Sequence, residues 1–599
     1  MIFEYAPPSP AHRGRWVWIA LGVVLLALLA WGGWVGVRAI EAKGELDALV
    51  PAAVGVQDAL KAGDIAEATD MADDFSAHAA RASELSGDPL WRAAESLPAL
   101  GPNLAAVRVA SAQLDALSTE ALQPVLGASG QLSSLLDSTT GSLDVVAMES
   151  LHSPLVRASE ALDTAGSELG RLPLASVLTP IRAGVTRMQG HIEEARSITS
   201  DLADVTAVLP SMLGADAPRS ILMVFQNNAE LRTGGGITAA FAEVRADAGA
   251  LSLVDQGSSR EFPELDEPIM PLPQTLTALH GDVAGRWVQN ISMSADFTVS
   301  ADLASEWWNV RTGHRPDTVV SLDPVTLQSA LAALGPVDVP GWGQLTADNA
   351  VHRLLVEPYM TVDDVAAQDT IFENAAASAL AVLLSGSANP VELIASLEQP
   401  IEDGRISVWS AYPEEQTVLA AGPLAGQAAR QEAAGEDAFA VYLNDTTGAK
   451  MDSYLDIAIA STVADCRPDG LRDVTVAVTL TNSAPADAAT FLPPSMTGDG
   501  TYGVAPGSIG TYVAVSAPRE SFPGPVTRDE GSSYSIQADA DGRPVSQARL
   551  DLAPGQTNTL VFRFVAGSPG SIEPQILHTP TIGQVDVTAP IAGDCPALG

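Results

Sequence analysis

Residues Arg219 to Val244 read RSILMVFQNNAELRTGGGITAAFAEV, and this stretch decides how the middle of the chain is interpreted. Two apolar runs, Ser220–Phe225 and Ile237–Val244, flank a polar and glycine-rich segment. Short apolar runs bounded by glycine and polar residues favour strands over helices. The sequence therefore predicts a pair of strands joined by a polar loop over Gln226–Gly236.

The predicted loop is dense in groups that can bind an anion. Its polar side chains and glycines are Asn227, Asn228, Glu230, Arg232, Gly234, Gly235 and Gly236. Glycine lets the backbone adopt positive φ and approach a ligand closely. The alternative is a tight connection in which the asparagines hydrogen-bond to their own backbone. Loop chemistry alone leaves both interpretations open.

Length and composition indicate a folded, multidomain protein. The chain has 599 residues, of which 46% are hydrophobic, and this suffices for several domains with cores of their own. Its formal net charge is −42. Nucleic acids and anionic lipid headgroups bind clustered Lys and Arg, so this charge argues against both as partners through general electrostatics. The acidity also fits a solvated surface that keeps the protein soluble.

An uncharged run, Trp16–Val37, predicts a transmembrane anchor. At about 1.5 Å per residue it covers about 33 Å, against about 30 Å for the hydrocarbon core of a bilayer, and its tryptophans suit the two interfaces. A cleaved signal peptide is the alternative, although the run is long for one and no clear A-x-A site follows it. Residues 1–15 are then a short cytoplasmic tail. Basic residues flank the run on both sides and barely select an orientation.

The two cysteines of the chain, Cys466 and Cys595, predict one disulfide. Such a bond requires an oxidising compartment, which places the large C-terminal portion outside the cytoplasm. Two free, buried thiols are the alternative. The sequence thus favours a single-pass protein of the cell membrane whose bulk is extracytoplasmic.

Patterning divides the remainder into three parts. Residues 40–217 are rich in Ala and Leu and predict a helical stalk or bundle, with helix starts at Asp64 and Asp88 and breaks at prolines such as Pro124. Residues 218–455 alternate strand-like and helical runs and predict an α/β or α+β domain. Residues 456–599 change to a period of two and predict a β-sandwich.

Several enzyme classes lack support in the sequence. The chain has no H-E-x-x-H motif, no G-x-S-x-G elbow and no G-x-x-x-x-G-K-[ST] loop. A zinc protease, a hydrolase of the serine-elbow type and a P-loop ATPase are therefore disfavoured. The histidines are scattered, so a transition-metal site is disfavoured as well.

The segment FQNNAELRTGGG, together with QNISMSADFT at Gln289–Thr298 and RPDTVVSLDPVTLQSALAALGPVDV at Arg315–Val339, resembles an uncharacterised family of membrane-anchored actinobacterial proteins. That family carries only a domain-of-unknown-function label. The resemblance extends from about residue 85 to the end of the chain. It implies a cell-envelope protein and leaves the chemistry open.

At the level of pattern, the middle part is also similar to the LytR-CpsA-Psr family, which transfers glycopolymers from polyprenyl diphosphate lipids to the cell wall. This resemblance implies that Arg232 and Arg260, with Asn227, Asn228, Gly234 and Gly235, hold a diphosphate, and that Glu230 and Glu261 hold Mg²⁺. Guanidinium groups and carboxylates suit those two roles. The family's paired arginine and aspartate are absent, because SSREFPELD places Glu261 after Arg260. An ion pair between Glu230 and Arg232 and a surface position for Arg260 are the structural alternatives.

Two hypotheses about function follow. The protein either binds or transfers polyprenyl-linked glycans at the membrane surface, or it is a non-catalytic scaffold or adhesin-like protein that binds cell-wall polymer or protein. Convergence of Arg232, Arg260 and Arg315 in one pocket favours the first hypothesis, and divergence favours the second. Asp296 and Asp323 are weaker candidates, since Asp323 before a proline suits a helix start without any ligand.

Overall fold

The N-terminal part of the chain is helical, as the sequence predicts. In the computed structural model, residues 13–61, 64–129, 136–137, 142–385, 390–465, 467–528, 531–567 and 570–593 are described. The chain divides into two compact units. The helical unit comprises Met1–Ser134 and Val146–Ala207, and the mixed unit comprises Leu135–Val145 and Val208–Gly599.

Seven α-helices begin in this part of the chain: α1 (Arg13–Lys61), α2 (Ile65–Ser86), α3 (Pro89–Ala94), α4 (Gly101–Leu117), α5 (Gln123–Ser129), α6 (Val145–Gly170) and α7 (Thr179–Met212). Two predicted helix starts are confirmed. Asp64 accepts a hydrogen bond from the backbone N–H of Glu67, and Asp88 accepts one from Leu90. Each carboxylate satisfies an N–H group that the first helical turn leaves without a partner.

Helix α1 contains the predicted anchor. Its apolar part begins near Leu21, where the described side chains are exposed, and it is the candidate membrane span of the described chain by length and composition. The helix does not end with the apolar run but continues to Lys61. At about 1.5 Å per residue its 49 residues extend about 73 Å, more than twice the hydrocarbon core of a bilayer.

The helix break predicted at Pro124 is wrong. A π-helical segment, Ser118–Leu122, follows α4 directly, and α5 contains Pro124. Proline has no N–H to donate to the preceding turn and clashes with its carbonyl group. The wider π turn changes the register of the carbonyls just before the proline, so the chain stays helical.

The mixed unit contains a five-stranded middle sheet. In chain order the first nine strands of the molecule are β1 (Leu136–Asp137), β2 (Ser142–Leu143), β3 (Arg219–Arg232), β4 (Gly235–Asp247), β5 (Ala250–Ser258), β6 (Thr318–Leu322), β7 (Val337–Val339), β8 (Gly343–Leu345) and β9 (Ser407–Ser410). The middle sheet has the order β5-β4-β3-β6-β9. Strands β3 and β6 are parallel, and the other neighbours are antiparallel.

The helices of the mixed unit are α8 (Gln274–His280), α9 (Val283–Arg286), α10 (Phe297–Thr312), α11 (Pro324–Leu334), α12 (Ala350–Leu355), α13 (Glu357–Thr361), α14 (Val365–Leu384), α15 (Pro390–Glu402), α16 (Pro413–Ala421), α17 (Gln427–Ala433), α18 (Ala488–Phe491) and α19 (Pro494–Thr497). Alternate residues of a strand face opposite sides of its sheet. On one face of the middle sheet, Leu222 and Val224 pack with Trp307 and Trp308 of α10 in a fully buried core. The other face points toward α11, α12, α14 and α15.

Two further sheets follow along the chain. Their strands are β10 (Ala438–Asp445), β11 (Leu455–Ala464), β12 (Asp473–Asn482), β13 (Ile509–Ser516), β14 (Phe522–Arg528), β15 (Gly531–Ser532), β16 (Ser535–Ala540), β17 (Arg543–Leu552), β18 (Thr557–Val565), β19 (Gln575–His578) and β20 (Asp586–Ala592). One sheet has the order β16-β17-β13-β10-β19 and the other β15-β14-β18-β12-β11-β20.

Side chains from both C-terminal sheets form one buried core, which includes Val441 and Val513 of the first sheet and Val478 and Phe562 of the second. The predicted change to a period of two after residue 455 is therefore confirmed in the strands. Strand β10 joins these sheets although it precedes residue 456. The sandwich arrangement stays a prediction, and so does the disulfide, because Cys466 and Cys595 lie outside the described residues.

Candidate functional site

Strand β3 does not end where the sequence predicts. The loop predicted over Gln226–Gly236 is wrong, because β3 continues to Arg232 and pairs with β4 along this segment. The pairing register shifts between Asn227 and Leu231, so residues 228–230 have no partner on β4. We call these three residues the bulge, and residues 226–236 as a whole the polar motif. Their polar groups are buried, whereas a surface loop would leave them in water.

Residues far along the chain hold the bulge in place. The backbone N–H of Leu231 donates to Asp452 Oδ2 at 2.7 Å, and Asn228 Nδ2 donates to the carbonyl oxygen of Pro580 at 3.3 Å. These partners lie 221 and 352 residues away in sequence. A buried backbone or amide group needs such a partner, and here the segments that connect β10 to β11 and β19 to β20 supply it. The polar motif therefore joins the middle sheet to the C-terminal sheets.

The charged side chains of the motif bind one another. Arg232 Nη2 donates to Glu230 Oε1 at 2.9 Å, and Lys450 Nζ donates to the other oxygen of the same carboxylate. Arg232 also donates from Nε to Asn290 Oδ1 at 3.0 Å and from Nη1 to the carbonyl oxygen of Asp445 at 3.4 Å. All of these groups are buried or nearly so. The guanidinium thus uses its donors inside the protein and presents none to an external diphosphate.

The pKa values of three carboxyl groups in this cluster depart from the ordinary value in different directions. Burial raises the pKa of Glu230, but the nearby charges of Lys450 and Arg232 outweigh burial and lower that pKa below its ordinary value. Burial and the negative charge of Glu230 raise the pKa of Asp445 to about 6. Burial and Asp445 raise the pKa of Asp452 well above its ordinary value. The cluster therefore holds two cations, one ionised carboxylate and two carboxyl groups that resist ionisation.

The glycines of the motif serve the chain's own packing. A Cβ at Gly235, whose φ is +134°, would lie 2.4 Å from the side-chain oxygen of Gln226. A Cβ at Gly236 would lie 2.3 Å from the backbone of Asn227. Gly234 donates its N–H to a backbone carbonyl at 2.9 Å. The close approach that the glycines permit is therefore between β3 and β4.

Arg260 and Glu261 lie apart from the charged pair of the motif. Arg260 is 45% exposed in its side chain, and its Nη1 is 3.4 Å from Asp369 Oδ1. Glu261 accepts from Arg311 Nε at 3.1 Å and closes a capping box. Because Glu230 and Glu261 are each held in a different ion pair, they do not fit a joint Mg²⁺ site. Among the described residues, no group of three metal-ligating side chains is placed to hold a metal ion.

The remaining candidates also have structural partners. Arg315 is exposed and pairs with Glu306. Asp323 caps α11, as predicted, and its other oxygen accepts from Arg405 Nη1 at 2.8 Å. Asp296 caps α10. Arg315, Arg260 and Arg232 thus each have separate partners and do not form one basic pocket.

The mixed unit contains an apolar cavity of about 250 Å³. We call it the apolar cavity. It lies between the middle sheet and helices α11, α12, α14 and α15. Its lining is almost wholly apolar and includes Met223, Phe225, Leu327, Leu355, Phe372 and Leu380. Native interiors are close-packed, and voids much larger than a water molecule are few. The amino-acid sequence alone does not predict this cavity.

Small side chains account for the cavity. Strand β4 contributes Ala240 and Ala242, and α14 contributes Ala375, Ala376 and Ala379. A helix on a sheet normally fills the interlayer space with larger residues, whereas alanine leaves space between the layers. The run NAAASALAVLL in α14 is the sequence signal of this space. Alanine is also the best helix former, so the run by itself indicates only a helix.

The apolar cavity and the polar motif meet at one point. Asn227 lies on the wall of the cavity, and its Nδ2 donates to the hydroxyl of Tyr359, another wall residue, at 2.7 Å. The ammonium group of Lys450 lies 5.7 Å from the centre of the Tyr359 ring. The buried ion pair of the motif thus supports one end of the cavity wall.

Residues 216–359 match the model of a family described as "Protein of unknown function (DUF4012)". The match starts before β3 and ends at Tyr359, so it includes the polar motif and the strands of the cavity wall. It does not include α14 or the partners of the motif in the C-terminal sheets. A comparison with curated proteins gave no match.

Proposed function

We propose that the mixed unit binds the hydrocarbon chain of a membrane lipid in the apolar cavity. The observation that carries this proposal is the size of the cavity combined with its apolar lining. An engineered apolar cavity of about 150 Å³ already binds benzene. If the space stayed dry and empty, it would cost about 6 kcal/mol at about 24 cal/mol per Å³. That is comparable to the net stability of about 5 to 15 kcal/mol of a whole domain.

The lipid that we propose is the polyprenyl chain of a lipid-linked glycan. Its support is the resemblance of the polar motif to envelope proteins, together with the candidate membrane span in α1. The protein is then anchored by one helix with its bulk outside the cytoplasm. An acyl chain of a phospholipid has similar apolar chemistry and is the competing occupant.

Binding is proposed here without a catalytic step. A phosphoryl or glycosyl transfer needs groups that stabilise the diphosphate, and the donors of Arg232 are used by Glu230 and Asn290. A non-catalytic scaffold is the second candidate function. The polar motif favours this second function, because its side chains join sheets of the same unit.

Lipid extraction from the full-length protein tests the proposal. Ala379 lies on the cavity wall, so we expect Ala379→Phe to fill the space and abolish retention of the lipid. Ala381 lies on the same helix and is exposed, which makes Ala381→Phe the matched control. Each protein is purified from its host membrane, washed with a competing detergent, denatured, and its lipids are identified by mass spectrometry.

We expect the wild-type protein and Ala381→Phe to retain about one polyprenyl lipid per chain, and Ala379→Phe to retain none. Equal lipid content in all three proteins would mean that the lipids come from the annulus of α1, and the proposal would fail. Recovery of a phospholipid alone would support binding of a hydrocarbon chain in the cavity, but it would exclude a lipid-linked glycan as the ligand. Circular dichroism of Ala379→Phe confirms that its loss of lipid does not reflect unfolding.

A further inference from the structure

The N-terminus of α3 lies beside the apolar part of α1. Trp31 Nε1 donates to the carbonyl oxygen of Leu90 at 3.0 Å, and the Arg38 guanidinium lies 3.9 Å from the Asp88 carboxylate. Tryptophan is enriched at the membrane interface, where its ring is apolar and its N–H finds a partner. The N-terminus of α3 thus lies at the level of α1 where a membrane span would end.

A second turn of the helical unit lies at the same end. The backbone N–H of Leu178, between α6 and α7, donates to Asn103 Oδ1 at 2.8 Å. Asn103 is in the first turn of α4, directly after the turn that follows α3. We call residues 89–100, which include the short helix α3, and residues 171–180, which include the start of α7, the paired turns. They lie side by side near the end of the candidate membrane span.

The paired turns expose large apolar side chains. These are Leu90, Leu97, Leu100 and Leu178, the last two of which are 57% and 61% exposed. Single exposed leucines on a protein surface need no explanation, but several at one end of a unit mark an interaction site. Apolar side chains of this kind insert into the boundary between headgroups and acyl chains of a bilayer.

Around the second of the paired turns, the local charge is opposite to that of the whole chain. Between Leu169 and Ile192 there are three arginines, Arg171, Arg182 and Arg187, and no Asp or Glu, whereas the chain as a whole has 73 acidic and 31 basic residues. Arg171 pairs with Glu168. In the described part of the chain, neither Arg182 nor Arg187 pairs with a carboxylate. Arginine beside an anionic lipid surface is attracted to the lipid phosphates and strengthens binding.

We propose that the paired turns dock on the surface of an anionic bilayer. Their leucines enter the headgroup region, and Arg182 and Arg187 contact lipid phosphates. The net negative charge of the whole chain argues against contacts with anionic lipid over most of the surface, but it does not exclude them at the paired turns. The inference depends on the membrane span in α1 and does not depend on the apolar cavity.

Hydroxyl-radical footprinting of the full-length protein in nanodiscs tests this proposal. Leu100 and Ile198 are 57% and 56% exposed and belong to the same unit, so they form a matched pair. For each residue the oxidation rate in the nanodisc is divided by its rate in the unfolded chain. Nanodiscs of phosphatidylcholine with and without phosphatidylglycerol provide the two lipid surfaces.

With phosphatidylglycerol present, we expect Leu97, Leu100 and Leu178 to be oxidised several-fold more slowly than Ile198. Without it, or in the variant Arg182→Gln/Arg187→Gln, we expect the difference between Leu100 and Ile198 to shrink. The control Arg157→Gln, on the exposed side of α6, leaves the difference unchanged. Equal oxidation of Leu100 and Ile198 on both lipid surfaces would overturn the docking. Protection that is insensitive to phosphatidylglycerol and to the arginines would overturn the role of anionic lipid.

Discussion

The side-chain amide of Asn227 donates to the hydroxyl of Tyr359 at 2.7 Å, and both residues are on the wall of the apolar cavity. The other end of the same amide, Oδ1, accepts from the backbone N–H of Ala229 in the bulge at 3.0 Å. One asparagine therefore connects the conformation of β3 to the position of α13. A change at Tyr359 should be felt in the strand.

Replacing Tyr359 by Phe should destabilise β3. The variant leaves the buried amide of Asn227 without its acceptor, and an unsatisfied buried group costs about 1 to 3 kcal/mol. Hydrogen exchange of β3 amides, followed by mass spectrometry, measures the change in opening free energy. Tyr534 is exposed in the same unit, and Tyr534→Phe is the control, for which we expect a smaller effect. Equal exchange rates in β3 for the wild-type and Tyr359→Phe proteins would contradict the prediction.

Replacing Lys450 by Met should be more damaging. Glu230 would keep only Arg232 as a counter-charge in a buried site, and breaking a buried ion pair costs about 3 to 5 kcal/mol. Urea unfolding of the full chain measures the loss. The double variant Glu230→Gln/Lys450→Met should not recover the stability, because it leaves the buried Arg232 guanidinium without its ionised partner.

The exposed pair Arg245 and Asp247 provides the comparison for Lys450. Surface ion pairs contribute about 0 to 1 kcal/mol, so Arg245→Ala should change stability little. If Lys450→Met changed stability no more than Arg245→Ala, the buried cluster would have no special role in the fold.

Replacing Gly236 by Ala should prevent β3 and β4 from pairing as observed. The added Cβ would lie 2.3 Å from the backbone of Asn227. A backbone atom of a paired strand cannot move away as the end of a flexible side chain can. Gly184 in α7 is the control, because a Cβ there meets nothing within 4 Å. Gly184→Ala should raise stability by about 0.5 to 1 kcal/mol. Thermal unfolding followed by circular dichroism separates the two variants, and a stable Gly236→Ala protein would count against the packing described.

Stability should depend on pH through Asp445. Its pKa is about 6 in the folded chain and about 3.9 in an unfolded chain, so the folded state binds the proton more tightly. The stabilising contribution of this group is present below about pH 4 and is lost as the pH rises to about 6. Asp445→Asn cannot titrate. The unfolding free energy of this variant, relative to the wild type, should therefore rise between pH 4 and pH 6 and then level off. A relative stability that is constant over this window would exclude the assignment to Asp445.

Local signals in the sequence specified several elements closely. Residues Thr318–Leu322 form β6 and residues Val365–Leu384 form α14, and the residue pattern of each segment favours the element that it forms. The strand is a short run with the β-branched residues Thr and Val, and Asp364 caps the helix. These determinants act within a few residues, so they are visible in the sequence.

The candidate site depends instead on contacts between residues that are distant in the sequence. Polar residues between two strands usually indicate a loop, but here Asp452 and Pro580 satisfy the bulge from distant positions. The apolar cavity was missed because Ala375, Ala376 and Ala379 predict a helix and give no sign of the space beside it. Pairing between distant residues and the shape of a space between layers are properties of the folded chain.

The bulge of β3 also bears on the order in which the protein is made. Its partners Asp452 and Pro580 leave the ribosome long after β3 does. Until then the polar groups of the bulge lack these partners, and the apolar face of the middle sheet stays uncovered. Contacts across such sequence separations form slowly, and the waiting chain is exposed to aggregation. A chain truncated at residue 359, where the family match ends, would remain permanently in that incomplete state.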